Sequence, residues 1–356
     1  MNETSAMQIF MIVTSQKGVI DMRAGFIGAG KVGFSLGKYL KENGVEITGY
    51  FSKSPESAKS AADFTNTKLY KSIENILSDS DTLFITVPDG QISKVWDYMK
   101  NLDIKNKNIC HCSGSISSTV FFDGENLGAN IYSVHPLYAI SDKCESWKHL
   151  NKAYFTVEGS AENLDEIKSI FERAGNKVIA MGAENKSLYH CGAVVVSNLV
   201  NGLFQVGAEM LVKCGFDKKD AKKALVPLFT GNADTLAEKG VAAALTGPVE
   251  RNDLSTITKH IEAIEAAWIN ESEEKVGYEM IYLLLSEKLL SIAQEKHLDS
   301  DYLKMTEVIK NENKQIKCIY SCRSSYMYCT CHGLCRSDNR CCCRSGSRTS
   351  GAEWSR

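Results

Sequence analysis

The stretch Phe26-Ile27-Gly28-Ala29-Gly30-Lys31-Val32-Gly33 constrains this chain most, because an apolar run breaks into GxGxxG and then resumes with helical spacing. Met22 to Ile27 reads as a buried strand, and Val32, Leu36, Tyr39 and Leu40 recur on one helix face before Gly44, a natural C-terminal stop. Gly28 suits a tight turn, Gly30 lets a pyrophosphate approach bare backbone, and Gly33 lets helix and strand pack closely. The phosphates would sit at the positive end of the helix dipole. Gly28, Ala29, Gly30, Lys31, Val32 and Gly33 are therefore the expected lining of a dinucleotide site.

The end of the second strand, Val45 to Phe51, carries no acid. An NAD site usually places Asp or Glu there to bind the ribose 2′-hydroxyl. This chain offers Ser52, Lys53 and Ser54, a lysine and two hydroxyls that suit a 2′-phosphate, so NADP is expected over NAD. The competing reading of Lys53 is an ordinary solvated loop lysine.

A chain of 356 residues exceeds what one core usually holds, so two packed units are expected. A net charge of −2 gives no field to attract nucleic acid or an anionic membrane, and no basic stripe with interleaved aromatics appears in the body. The longest apolar runs look too short to span a bilayer. Residues 1–21 hold one short apolar run, Ile9 to Val13, without a preceding base, and do not resemble a secretory signal. They read as a disordered extension or as a start codon placed too far upstream.

The C-terminal end changes character. Eight of the 13 cysteines fall between Cys318 and Cys343, and three Arg against 31 Lys up to Ile316 become six Arg against one Lys afterwards. Cys329, Cys331, His332, Cys335 and the triplet Cys341 to Cys343 could be metal ligands, but their spacing matches no paired CxxC knuckle. An abrupt change of residue usage without apolar periodicity reads better as translation of a shifted frame, so no metal is expected. Five cysteines in the remaining chain suit a reducing cytoplasm, without disulfides.

Between the ends, strands and helices alternate. Ser54 to Phe64 and Ile73 to Leu77 read as helices, Thr82 to Val87 as a buried strand, Ile92 to Leu102 as a helix and Lys107 to Cys112 as a strand. Strands at Ala129 to Val134 and Ala153 to Val157, a helix at Leu164 to Ala174 and a strand at Lys177 to Met181 follow. The pattern is α/β, a doubly wound Rossmann-type parallel sheet followed by an all-helical C-terminal domain. Strand C-terminal ends face the cofactor in such sheets, so Thr86, Val87, Pro88 and Asp89, with His111, Cys112, Ser113, Gly114 and Ser115, should border the nicotinamide. His135, before Pro136, either lines the cleft or closes a strand end.

From Ala183 the strand signal gives way to one long helix from about Glu184 to Cys214. At about 100° per residue, Lys186, His190, Ser197 and Asn201 share a stripe roughly 60° wide on a helix otherwise built of Val, Ala, Leu and Gly. A solvated face would carry more Glu and Lys, so the stripe reads as functional. The same helix is apolar on more faces than one domain covers, notably at Val194, Val195, Val196, Leu199, Val200, Leu203 and Phe204, which points to packing in a homodimer. Arg251 is a candidate carboxylate anchor, or else an ordinary loop salt bridge with Glu250 or Asp253.

Six segments in this order, GFIGAGKVG at 25–33, TVPDGQI at 86–92, HCSGSISS at 111–118, HPLYA at 135–139, KSLYHCGAVVVSN at 186–198 and ALTGPVERND at 244–253, carry a resemblance. Over Met22 to about Gln315 the chain resembles a family of oxidoreductases that join a Rossmann-like domain to a helical C-terminal domain of unknown function. Wider relatives are the β-hydroxyacid dehydrogenases, 6-phosphogluconate dehydrogenase and ketopantoate reductase. In those enzymes a lysine on the first long helix after the sheet commonly serves as acid, and Lys186 occupies that place. They often carry asparagine one turn later, where this chain has His190.

The resemblance implies a cytoplasmic NADPH-dependent reductase of a small 2-oxo acid, with ketopantoate the leading substrate and pantothenate biosynthesis its setting. Lys186 and His190 are its expected catalytic pair, and Ser197, Asn198, Asn201, Arg251 and Asp253 its expected substrate contacts. Competing readings are an imine reductase similar to pyrroline-carboxylate reductase and a non-catalytic NADP-binding sensor. An imine arrives already protonated, which would make a cleft lysine superfluous. The expected divisions are an extension at 1–21, a dinucleotide domain at 22–183, a helical substrate and dimerisation domain at 184–316, and a tail at 317–356 outside the fold.

Overall fold

A computed structural model describes residues 20–324 of the chain, which divide into two compact units between Val200 and Asn201. The first unit is built on one eight-stranded sheet in the order β3-β2-β1-β4-β5-β6-β7-β8. Its strands are β1 (Ile20–Ile27), β2 (Val45–Phe51), β3 (Lys68–Leu69), β4 (Thr82–Ile85), β5 (Asn108–His111), β6 (Asn130–Leu137), β7 (Tyr154–Gly159) and β8 (Lys177–Ala180). Helices α1 (Lys31–Glu42), α2 (Pro55–Thr65), α3 (Ile73–Asp79), α4 (Asp89–Met99) and α5 (Leu164–Arg173) connect them. The strand order reverses between β1 and β4, which opens the crevice where doubly wound sheets bind their ligand.

All neighbouring strands run parallel except β6 and β7, which pair antiparallel with Ser133 opposite Glu158 and His135 opposite Thr156. Both faces of the sheet are covered. Phe26, Tyr50, Tyr132, Val134, Phe155 and Val157 pack on one side with α1, α2 and α5. Leu83, Ile85 and Ile109 pack on the other with Ile76 of α3 and Ile92, Trp96 and Met99 of α4. Because side chains alternate along a strand, His111, Ser133, His135, Thr156 and Glu158 fall on the second face, which turns polar across β5, β6 and β7. That polar strip is the foundation of the candidate site.

The sequence reading of these elements corresponds to the structure within a few residues, with four corrections. First, β1 begins at Ile20, so the expected extension gives up its last two residues to the sheet. Second, β3 was not anticipated, because a two-residue strand leaves no alternation to read.

Third, the long helix from Glu184 is two: α6 (Lys186–Val196) and α7 (Asn198–Lys213). Ser197 at the junction has φ −117° and ψ −72°, and its hydroxyl donates back to the Ala193 carbonyl at 2.7 Å. This local bond bends helices. The compact unit that holds the sheet also takes in α6, so its boundary falls at Val200 instead of residue 183.

Fourth, Ala183–Lys213 taken together is long and apolar enough to cross a membrane by length and composition, contrary to the expectation that every apolar run is too short. Only 6% of its most apolar window is buried, and Leu188, Val195, Val196, Leu199 and Leu203 lie exposed.

The second unit is helical: α8 (Lys218–Lys239), α9 (Val241–Ala244), α10 (Leu254–Ala267), α11 (Ser272–Lys296) and α12 (Leu303–Ser324) follow α7. Leu245, Val249, Ile257, Leu283, Leu290, Met305 and Ile309 form its core. Helix α12 runs on to Ser324, past the point at 316 where the packed elements were expected to end. The remaining tail, with the cysteines from Cys329 onward, and residues 1–19 lie outside the described residues.

Candidate active site

The glycine turn has the geometry the sequence suggested. Gly28 adopts φ +109°, and a Cβ there would stand 2.8 Å from the Thr86 carbonyl carbon and oxygen. A Cβ on Gly33 would collide with the Thr86 hydroxyl. Thr86 donates its hydroxyl to the Gly28 carbonyl at 2.8 Å, and the Gly28 amide donates to Phe51 at 2.8 Å, so the turn is fastened to the ends of β4 and β2.

Gly30 is exposed and a Cβ on it would meet only the Thr86 carbonyl oxygen, at 3.9 Å, which leaves backbone open to a ligand. The first turn of α1 carries no acid and no capping side chain. An uncapped, acid-free helix start reached over bare glycine backbone fits a pyrophosphate. Ala29 is buried, Val32 half-buried and Lys31 exposed beside this turn.

Beyond β2, Ser52, Lys53 and Ser54 stand next to the turn because Phe51 holds Gly28. Lys53 is exposed. Ser54 caps α2: its hydroxyl accepts from the Ser57 amide at 3.2 Å and donates to Glu56 at 2.9 Å. Ser52 accepts from the Ser54 amide at 3.3 Å. The two serines therefore shape the loop, and Lys53 remains the group with reach toward a 2′-phosphate.

After β4, Val87 is half-buried and Pro88 exposed, and Asp89 opens α4. One oxygen of Asp89 accepts from Ser113 at 2.8 Å and from Ser115 at 3.1 Å, which ties the loop after β5 to the loop after β4. Gly114 lies between those serines and is glycine for a reason the sequence did not reveal. A Cβ on it would stand 2.5 Å from His190 Nδ1 and 2.9 Å from His135 Nε2, so two imidazoles press against its backbone.

Lys186 and His190 share one face of α6, at i and i+4. Lys186 is 1% exposed and its ammonium has no hydrogen-bond partner among the described residues; the Tyr189 ring centroid is 5.6 Å away. Burial lowers the lysine's pKa, and Glu158 and then Cys112 work against that fall. His111 is fully buried and pushed down to about 4 by desolvation. Desolvation, with Lys186 next, pushes His135 down to about 3, so both rings are neutral at ordinary pH.

The Ser113 amide donates to His111 Nδ1 at 3.2 Å. His135 Nδ1 is 2.7 Å from the Tyr189 hydroxyl. Burial also drives the Cys112 thiol up to about 12, keeping it protonated. The cluster thus sets one buried lysine beside two neutral rings and a protonated thiol, an arrangement suited to an oxygen that gains negative charge.

The antiparallel turn of the sheet explains how the lysine arrives there. Because β7 runs against β6 and β8 runs with β7, Ala180 at the end of β8 lies beside Val157, next to Glu158. From that point six residues lead to Lys186. Glu158 and Tyr189 are absent from the expected site; Asp89 and His111 are expected there only as part of the nicotinamide border, and His135 only as one of two readings. Only strand register could have joined Glu158 to the others.

The expected stripe is interrupted at Ser197: Lys186 and His190 lie on α6, Ser197 at the junction and Asn201 on α7, where Asn198 also lies. Ser197 donates to Asn198 at 3.0 Å as well as to Ala193. In the second unit, Asp253 caps α10, accepting from the Thr256 amide at 3.0 Å and hydroxyl at 2.6 Å. That bonding accounts for Asp253 without a ligand. Arg251 is exposed; of the two acids in its alternative reading as a loop salt bridge, Glu250 pairs with Lys296 at 3.0 Å and His297 at 2.8 Å, while Arg251 acts on Asp253, whose carboxyl pKa is lowered first by its bonds to Thr256 and also by Arg251.

Two family models match the chain. Residues 23–109 match NADP oxidoreductase, coenzyme F420-dependent, and residues 153–288 match a domain of unknown function, DUF2520. No curated protein matches. Among solved structures, a Thermotoga maritima protein superposes with a TM-score of 0.61 at 26% identity, over 77% of this chain and 99% of its own. A reductive aminase from Aspergillus terreus, solved with NADPH and ethyl-5-oxohexanoate, gives 0.52 at 14% identity over 77% and 94%.

A 1-pyrroline-5-carboxylate reductase from Streptococcus pyogenes gives 0.51 at 16% identity over 77% and 98%. The latter two likenesses are likenesses of fold. The N-terminal segment is an NADP oxidoreductase domain and the protein an NADP-dependent oxidoreductase.

Proposed function

We propose that the protein reduces the ketone of a small 2-oxo acid, with 2-dehydropantoate the first candidate, using NADPH. One observation carries this reading: the Lys186 ammonium is buried, has no hydrogen-bond partner among the described residues, and belongs to a contact chain that begins at the glycine turn. That chain runs from Gly28 to Thr86, past Pro88 to Asp89, across to Ser113 and Gly114, and so to His190 on the helix of Lys186. When bound, NADPH supplies the hydride.

The chain's own residues do the rest. Lys186 donates a hydrogen bond to the carbonyl oxygen and its charge stabilises the growing alkoxide, to which it then passes a proton from Nζ. Burial lowers the pKa of Lys186 and so makes Nζ a stronger acid, which brings that proton nearer to transfer. Tyr189 holds the His135 ring in place, and the two imidazoles at Gly114 fix the loop against which substrate lies. The 2-oxo acid class itself draws on the sequence resemblance.

A panel of 2-oxo acids and cyclic imines, followed by loss of NADPH absorbance, tests the reading. Turnover of a 2-oxo acid is expected, and K186M should retain NADPH affinity while turnover falls by about 10² to 10⁴. His190→Asn should lose less. Turnover of a cyclic imine with no 2-oxo acid consumed would replace this reading with that of an imine reductase.

A further inference from the structure

We propose that His135 holds the carboxylate of the substrate through Nε2–H, with Tyr189 as the positioning residue that fixes the proton there. This rests on the reading of the protein as a reductase of a 2-oxo acid. The Tyr189 hydroxyl is 2.7 Å from His135 Nδ1, and the two rings meet edge to face with centroids 5.6 Å apart. A phenol is a stronger proton donor than a neutral imidazole N–H, and an imidazole nitrogen a better acceptor than a phenol oxygen, so the hydroxyl donates and Nδ1 accepts. The imidazole's own proton is then left on Nε2, because the bond made by one ring nitrogen decides the state of the other.

Nε2 itself has no hydrogen-bond partner among the described residues, and the ring is half-buried. It lies over Gly114, where a Cβ would stand 2.9 Å away, so glycine is what keeps this nitrogen uncovered. The backbone beneath it is fixed. The Ser113 and Ser115 hydroxyls donate to one Asp89 oxygen at 2.8 and 3.1 Å, and Ser113 Oγ accepts from the Ser115 and Ile116 amides at 3.2 and 3.1 Å. The donor thus faces the loop after β5, at the end of the sheet where doubly wound folds bind their ligands. His190 meets the same glycine through Nδ1, but that atom is bonded to nothing among the described residues, so no contact fixes the proton on its ring.

The Lys186 ammonium stands 5.6 Å from the centroid of the same Tyr189 ring. Two donors therefore gather about one tyrosine. They match a substrate whose ketone and carboxylate sit on adjacent carbons and whose oxygens only accept. Both belong to the first compact unit, whereas Arg251, the anchor expected from the sequence, belongs to the second.

The test uses the full chain carrying ¹⁵N-histidine at about pH 8, where even an unperturbed imidazole is neutral. The His135 signals are those lost in H135L. The wild type should show a proton on Nε2 and a bare Nδ1, and Y189F should show both tautomers. The Nε2–H signal should also move on adding 2-dehydropantoate with NADP⁺, which has no hydride to give. In kinetics, H135L should raise KM for the 2-oxo acid about tenfold or more with kcat and NADPH affinity nearly kept, the pattern of a lost bond to a charged group that binds ground and transition states alike. H135Q, whose amide donates in place of Nε2–H, should recover part of that loss.

A proton on Nδ1 in the wild type overturns the proposal, and so does an unchanged KM in H135L. Should H135L not fold, Y189F decides: a raised KM with mixed tautomers supports the proposal, and a single tautomer with the wild-type KM overturns it. Turnover of no 2-oxo acid by the wild type would refute the functional reading and with it the carboxylate as ligand, while the tautomers in Y189F still decide whether Tyr189 fixes the ring.

Discussion

Lys53 is the residue on which coenzyme choice is expected to turn, since the flanking serines spend hydroxyls on the loop itself. Lys53→Ala should weaken NADPH by about 1.5 to 3 kcal/mol, the range of a charged hydrogen bond, and leave NADH nearly unchanged. Titration of both coenzymes by fluorescence checks this, and equal weakening would assign the loop another role. At this scale the sequence was informative wherever function depends on neighbours along the chain. GxGxxG, the Ser52 to Ser54 loop and the pair Lys186 and His190 could all be read directly. Glu158 could not, because its relation to His111 exists only through two strand pairings, one of them antiparallel. Gly114 is legible as a loop glycine, but the approach of two imidazoles to its backbone is not, since they come from β6 and α6.

Among the elements, α11 carries a cost that pH exposes. Glu279 is 5% exposed, and desolvation pushes its carboxyl up to about 7; Lys275 at 3.7 Å opposes this, while Glu265 and Glu312 reinforce it. Such a group binds its proton more tightly folded than unfolded. Its contribution to stability is therefore present below the ordinary value of 4.5 and is lost as pH rises to about 7. Urea unfolding should show E279Q insensitive to this window and about 2 kcal/mol more stable than the wild type at pH 8, with little difference at pH 4. Equal curves at both pH values would mean that water reaches the carboxylate. Element type was readable from apolar period, whereas breaks made by single side chains were not: the hydroxyl of Ser197 divides a run that every apolar residue around it favours as continuous.

For the whole molecule, the apolar side chains left uncovered on α6 and α7 are the main unsettled surface. Val195, Val196, Leu199 and Leu203 are each at least 45% exposed in a single chain. A second copy of the chain is expected to cover them, because soluble monomers rarely leave a contiguous apolar patch of this kind open. Sedimentation equilibrium at micromolar concentration should return twice the monomer mass, and V196E with L199E should return the monomer. A wild-type monomer, or protein recovered only with lipid, would contradict dimerisation. The first unit also has a history written into it. Thr86 holds Gly28, Asp89 holds Ser113 and His190 presses on Gly114, and short stretches of chain join these three contacts, so a change at one of them alters the fit of the next. Residues bound in this way drift together or not at all, and a lineage that abandoned one of them would be expected to show replacements along the whole series.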